Sequence, residues 1–554
     1  MLTPTHHPGR LFLLALIAGS AFLLQRQNAY SQDRVSSDGQ SERLLNFEND
    51  ILPVLSRYGC NSSGCHGKAE GQNGFKLSVF GFDPEADYIA LVMEGRGRRV
   101  FPAVPDQSLL LQKICGSMPH GGGIRLEKTR PEYRILRDWI VSGMRFGTKE
   151  DPQIVKIDLS PAERQLPFSG EQQLNVVATY SDGKTSDVTA LAQFQSNNDG
   201  LASVDASGLV TIGQSAGTVA VMATYLGHVD TFRILIPRPD AIEAYPDLPE
   251  NNFIDTHVNR RLQQLNILPS AGCNDAEFLR RVYLDIIGTL PTVDEAKSFL
   301  SDTHPDRRSM LVDQLLQRPE YADYWALKWS DLLRVNRREL GHKRAFEYYN
   351  WIRRSCAENK PLDQFVRELL LAEGPMTDVP AANFYKVVDK PDKMASAVSQ
   401  IFLGVRIECA QCHHHPFDRW SQTDFYGMQA FFNQVSFKTS MRGEIIQATG
   451  NAKTLHPRTG QEVFAHALNT QMPDTSLATD PRKLLADWMT ANDNPMFAHN
   501  LANRMWAHFM GLGLVEPVDD FRVTNPPSNP ELLDALAKSF VEKRFDVKNL
   551  IRTI

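Results

Sequence analysis

Hydrophobic residues follow three different rhythms along the chain. Residues 11–24 form an apolar run directly after Arg10. Residues 131–143 repeat at helical spacing, with Tyr133, Leu136, Trp139 and Ile140 on one face and Pro131 and Gly143 at the ends. They predict an amphipathic helix. Between 152 and 237 the period falls to two: runs such as 174–180, 202–204, 207–211 and 217–225 alternate, with turn signals between them. That pattern predicts an all-β sandwich, with Asp182 and Gly183 at a hairpin turn. Pro237, Pro239, Pro246 and Pro249 then mark a linker. From Asn251 apolar positions recur three and four apart, predicting helices over 253–262, 278–287, 321–335 and 395–409. Helical patterning returns from Asp480. It reaches residue 554 through Phe545, Val547, Leu550 and Ile551 with no cap, as expected of a chain that continues further.

A chain of 554 residues is too long for one core. The expected fold class is multidomain: mainly α, with an inserted all-β sandwich. The expected segments are a signal peptide at 1–32, a small helical domain at 44–147, the β domain at 152–237, a helical domain at 250–440 and a last helical domain at 478–554. Arg10, the apolar run and the small residues around Ala29 and Ser31 fit an export signal. The run is short for a membrane span, although an uncleaved anchor is the alternative, and nothing after it is long enough to cross. The expected location is periplasmic or cell-surface. A net charge of −6 and the lack of a basic, aromatic-interleaved stripe argue against nucleic acid.

The chemistry lies in the cysteines. Cys409-Ala410-Gln411-Cys412-His413 is C-x-x-C-H, the spacing of covalent haem attachment: two thiols add to the haem vinyl groups and the imidazole becomes the proximal iron ligand. Cys60-Asn61-Ser62-Ser63-Gly64-Cys65-His66 is a C-x4-C-H variant. Thiols five apart do not share one side of a helical turn, so this segment is expected to bulge, with Gly64 and the serines permitting it. A disulfide or a thiol-held metal is the rival there. At the second motif the rival is zinc held by Cys409, Cys412, His413 and His415. Met428, Met441 and His456 are the candidate sixth ligands at that motif. The aromatics around 425–432 are either porphyrin cover or core. Cys115, Cys273 and Cys356 are expected to be packing residues or one disulfide and a thiol.

Three resemblances follow from these strings. Cys60, Cys65 and His66, then Met118 and Pro119, then the Trp139 helix resemble a class I cytochrome c domain. That resemblance implies His66 as proximal and Met118 as distal ligand, with His120 and Met93 as competitors. Residues 180–183, 187–189, 202–205, 208–210 and 217–220 resemble the bacterial immunoglobulin-like domain of group 2. Phe278 to Asp285, Gly288 to Pro291, Trp329 to Arg334, the C-x-x-C-H motif, Asn503 to Trp506 and Asp519 to Phe521 resemble, in that order, planctomycete-type cytochrome c proteins. These are exported chains with a cytochrome domain, an optional immunoglobulin-like insert and two helical domains of unknown function.

The expectation is an exported c-type cytochrome with two covalent haems, passing electrons between periplasmic redox proteins. Its alternatives are a haem-dependent oxidoreductase acting on a periplasmic substrate such as a carbohydrate, and a surface protein whose immunoglobulin-like module makes carbohydrate or cell-surface contacts.

Overall fold

A computed structural model describes residues 44–240, 242, 244–441, 443–449, 452–470 and 480–554. The segment 1–32, expected to be an export signal, lies outside them. The chain is multidomain, about 43% helix and 15% strand, and falls into two compact units. No helix among the described residues is long and apolar enough to cross a membrane.

The smaller unit takes residues 44–51 and 91–148. Its organising element is the helix Pro131–Val141, which starts at a proline whose missing N–H costs nothing there. Tyr133, Leu136, Trp139 and Ile140 are all at most 4% exposed, the face that their spacing predicts. Trp139 seats its ring 5.8 Å from Phe47 and donates its indole N–H to the Arg145 carbonyl at 2.9 Å. The Tyr133 hydroxyl donates to Asp106 at 3.1 Å; burial, then that bond, pushes the phenol up to about 12.

The larger unit takes residues 52–90 and 149–554. Its β-rich region holds three sheets around one apolar core that includes Val176, Val210, Val221 and Phe232. The strand Asn175–Tyr180 pairs antiparallel with Ile154–Ser160 and Thr185–Asp187, and Asp182 and Gly183 lie in the hairpin turn between Asn175–Tyr180 and Thr185–Asp187. Gly217–Tyr225 pairs antiparallel with His228–Ile236, and the latter also takes a short parallel partner in Glu163–Gln165.

The helical remainder shares one continuous core across 254–554. Asp275–Ile287 begins with a capping box from Asn274 and Glu277 and ends at Gly288 in the left-handed region, φ 71°. One predicted helix is broken. Residues 395–409 do not run through: the helix Pro391–Val398 passes into a wide turn, Ser399–Leu403, and stops at Gly404, φ 71°. A Cβ at Gly404 would lie 2.7 Å from the Phe521 ring and 2.8 Å from Asn500 Oδ1, so close packing as well as backbone conformation ends the helix there. The region also contains strands that periodicity did not predict, Val435–Ser440 with Gly443–Ala448 and Lys453–Leu455 with Glu462–Phe464.

Candidate functional site

After Gly404 the chain re-forms a short 3-10 turn, Glu408–Gln411, which carries the second motif. Cys409 and Cys412 are both exposed, and the Cys412 and His413 N–H groups point back to the Cys409 carbonyl at 3.4 Å. Neighbouring elements hold the turn. Gln422 Nε2 and the Tyr426 hydroxyl, both on the helix Gln422–Ala430, donate to the Gln411 carbonyl at 3.1 and 3.2 Å. From the last region, Phe521 N donates to the Gly404 carbonyl at 2.9 Å and Thr524 Oγ1 to the Phe417 carbonyl at 3.0 Å. Arg522 lies over the Phe417 ring and pairs with Asp520 at 2.9 Å.

The three consecutive histidines play different parts. His413 Nδ1 is 2.7 Å from the His414 carbonyl. A carbonyl oxygen only accepts, so Nδ1 carries the hydrogen and Nε2 of the neutral ring carries the lone pair. This is the usual arrangement of a metal-ligating imidazole, one nitrogen fixed by a carbonyl and the other offered to the metal. His414 and His415 use Nδ1 in the opposite sense, accepting the Gln422 and Phe417 backbone N–H groups at 3.3 and 3.2 Å. His415 is buried, and burial, with Arg522 and His413 adding repulsion, holds it down to about 4, hence neutral. Partial desolvation, then the Glu408 carboxylate, raises the Cys409 thiol.

The first motif forms a tight irregular loop after the helix Leu52–Arg57. Its bulge is closed by the His66 N–H donating to the Cys60 carbonyl at 3.0 Å. The closure requires a glycine at Gly67, where a Cβ would sit 2.1 Å from the Asn61 carbonyl oxygen, whereas Gly64, expected with the serines to permit the bulge, has open space around it. Cys60, Cys65 and His66 are half-buried. His66 repeats the geometry of His413, with Nδ1 3.0 Å from the Phe75 carbonyl and its ring 4.6 Å from the Phe75 ring. Each motif thus sets two cysteines beside an imidazole whose Nδ1 lies on a backbone carbonyl, the residue types that a covalent haem would use. When bound, the group supplies a one-electron iron centre.

Met118 lies in the smaller unit, on the loop after the helix Leu109–Ile114, and is 36% exposed. His120 on that loop has its Nδ1 3.1 Å from the Gly123 carbonyl, and Met93 is exposed. At the second motif Met428 is fully buried in the helical core, and Met441 is fully exposed. His456 accepts the Arg458 and Thr459 N–H groups on Nδ1 at 3.3 and 3.4 Å. Phe425, Phe431 and Phe432 are fully buried core. The aromatics that do stand at the second motif were not signalled by its local sequence: Phe80 and Phe82 place their rings 6.2 and 6.1 Å from that of His413. Among the described residues, no group of three or more His, Cys, Asp or Glu side chains is arranged to hold a metal ion. Cys115, Cys273 and Cys356 are unpaired thiols, and burial pushes Cys356 up to about 12.

Residues 253–437, which contain the C-x-x-C-H turn, match the family model PSCyt2, a protein of unknown function (DUF1549). Residues 481–554 match PSD1, a protein of unknown function (DUF1553). Both are planctomycete cytochrome c-associated families, in agreement with the two helical regions read from the sequence. A local likeness also links the chain to Ice-binding protein 1 of Shewanella frigidimarina, 34% identical over 73 residues, 13% of this chain. The chain spans only 8% of that relative's length.

Proposed function

We propose that the protein is an exported c-type cytochrome that binds two covalent haems and passes electrons between periplasmic redox partners. Cys60, Cys65, Cys409 and Cys412 tether the haems, and His66 and His413 hold the irons. The observation that carries this reading is the shared hydrogen bonding of the two motif histidines, each with Nδ1 on a backbone carbonyl, at 3.0 and 2.7 Å. Haem attachment needs only two reachable thiols and one imidazole, so it does not require the gathered donor set of a closed zinc site. Residues 44–147 are the cytochrome c-like domain in this reading. Residues 152–237 are an immunoglobulin-like spacer that also offers a surface for carbohydrate or cell-surface contact.

One observation favours a second reading, a haem-dependent oxidoreductase. Met428 is taken up by the core and His456 Nδ1 by two backbone donors, which leaves Met441 as the exposed one of the three candidate sixth ligands. Carbon monoxide binding by the reduced protein separates the two: an unreactive protein is six-coordinate and an electron carrier.

The test of the main reading is pyridine haemochrome absorbance of protein matured in the periplasm, after acid–acetone extraction of loose haem. Two haems per chain are expected. Zinc with no residual absorbance would replace the reading at Cys409 and Cys412.

A further inference from the structure

We infer that the two motifs form one electronically coupled pair joined through Phe80; the inference rests on the two-haem reading above. The segment after the first motif is tied to it by backbone bonds. Leu77 N–H donates to the His66 carbonyl at 2.9 Å, and Phe80 N–H donates to the Asn61 carbonyl, inside the motif, at 3.1 Å. The same Phe80 sets its ring against His413 at 6.2 Å, and Phe82 touches both His413 and His414 at 6.1 and 6.2 Å. One residue thus contacts both attachment sites.

The backbone there is strained in a way that burial does not explain. Phe80 has φ 57° and ψ 16°, left-handed values that a bulky side chain rarely adopts. Its ring nevertheless stays 40% exposed. A phenylalanine held in that conformation for core packing would be covered. Gly81 follows with φ 72°, its Cα so close to Leu52 that a Cβ would meet Cδ1 at 2.8 Å. This double left-handed turn is clamped at both ends, by Asn61 and by the Asp83–Arg458 ion pair at 3.4 Å. What the clamp achieves is the placement of two aromatic rings on the second motif's imidazole.

With haem held by Cys60, Cys65 and His66 and by Cys409, Cys412 and His413, the chemistry supplied would be exchange of one electron between a ferrous and a ferric iron. No bond changes, no proton moves and no third reagent is consumed. Phe80 is a positioning residue in this exchange, fixing the separation and orientation of the two sites.

The test uses the full-length, doubly loaded protein. The ferric spectrum in electron paramagnetic resonance is compared with the sum of spectra from the Cys60→Ala/Cys65→Ala and Cys409→Ala/Cys412→Ala variants, and haem content is fixed by intact mass in each sample. The inference expects a non-additive spectrum in the intact chain, with loss of the non-additive part in Phe80→Leu. Two haems with a purely additive spectrum overturn the coupling and leave the haem reading standing. Fewer than two haems in the unaltered chain overturn the haem reading itself and the coupling with it. Where a single-motif variant fails to mature, spin relaxation in the unaltered chain and Phe80→Leu, both carrying two haems, reads the same effect. Identical relaxation in the two overturns the role of Phe80.

Discussion

Asp87 accepts two hydrogen bonds from Ser78, one from its backbone N–H and one from its hydroxyl at 2.8 Å, inside the segment that links the first motif to the second. Asp87 is 1% exposed. Burial raises its pKa from 3.8 to about 7, with Asp83 adding repulsion, although both Ser78 bonds work the other way.

This pair makes the segment 78–90 pH-sensitive. The folded state holds the Asp87 proton up to about pH 7 and the unfolded state releases it near 3.8, so folding takes up a proton between those values. The contribution is fully favourable below the unfolded value and is lost as pH rises through 7, by about 4 kcal/mol at most. Amide hydrogen exchange over residues 78–90 is expected to quicken between pH 5 and pH 8, after correction for intrinsic rates. Asp87→Asn is expected to flatten that difference; a variant with the same pH dependence would contradict the assignment.

Gly67 and Gly64 separate cleanly. Gly67→Ala forces a Cβ into the Asn61 carbonyl, so the loop must open and the His66 N–H is expected to lose its protection from exchange. Gly64→Ala meets nothing and is expected to leave that protection unchanged. Equal behaviour of the two variants would mean that the loop closes differently.

Gly404→Ala carries two penalties, a left-handed φ and a Cβ pressed on Phe521 and Asn500. Together they are expected to cost about 2–4 kcal/mol, read as a lower urea midpoint. The contact also ties the break before the C-x-x-C-H turn to the last region, so Phe521→Ala is expected to loosen the turn in exchange measurements.

Arg482 is fully buried, with Asp480 at 2.9 Å, the Ala372 carbonyl at 3.3 Å and its guanidinium 5.5 Å over the Tyr385 ring. A guanidinium keeps its charge when buried, so removal of its partner leaves that charge poorly compensated. Asp480→Ala, with Glu373 at 3.9 Å as the remaining anion, is expected to cost about 3 kcal/mol in chemical denaturation. A change below 1 kcal/mol would show that Glu373 or solvent takes over.

The sequence discloses what depends on near neighbours. The spacing of Tyr133, Leu136, Trp139 and Ile140 locates a helix and its buried face because both are set within three turns of chain. Asp182 and Gly183 mark a hairpin for the same reason. The stop at Gly404 was hidden, since its cause is Phe521, more than a hundred positions later. Gly64 lies inside the first motif and marks where the bulge is permitted, whereas the oxygen that excludes a side chain faces Gly67, just beyond it. Phe80 gave no signal at all: its part depends on a backbone outlier and on an imidazole far along the chain. The strands over 435–464 escaped notice because their alternation is weak and their side chains half-exposed.

The intact mass of protein expressed with residues 1–32 in place and matured in the periplasm tests the central claim most directly. The account predicts a processed chain heavier by two haems, falling by one when Cys409 and Cys412 are both replaced by alanine. A mass equal to the bare processed polypeptide would contradict it.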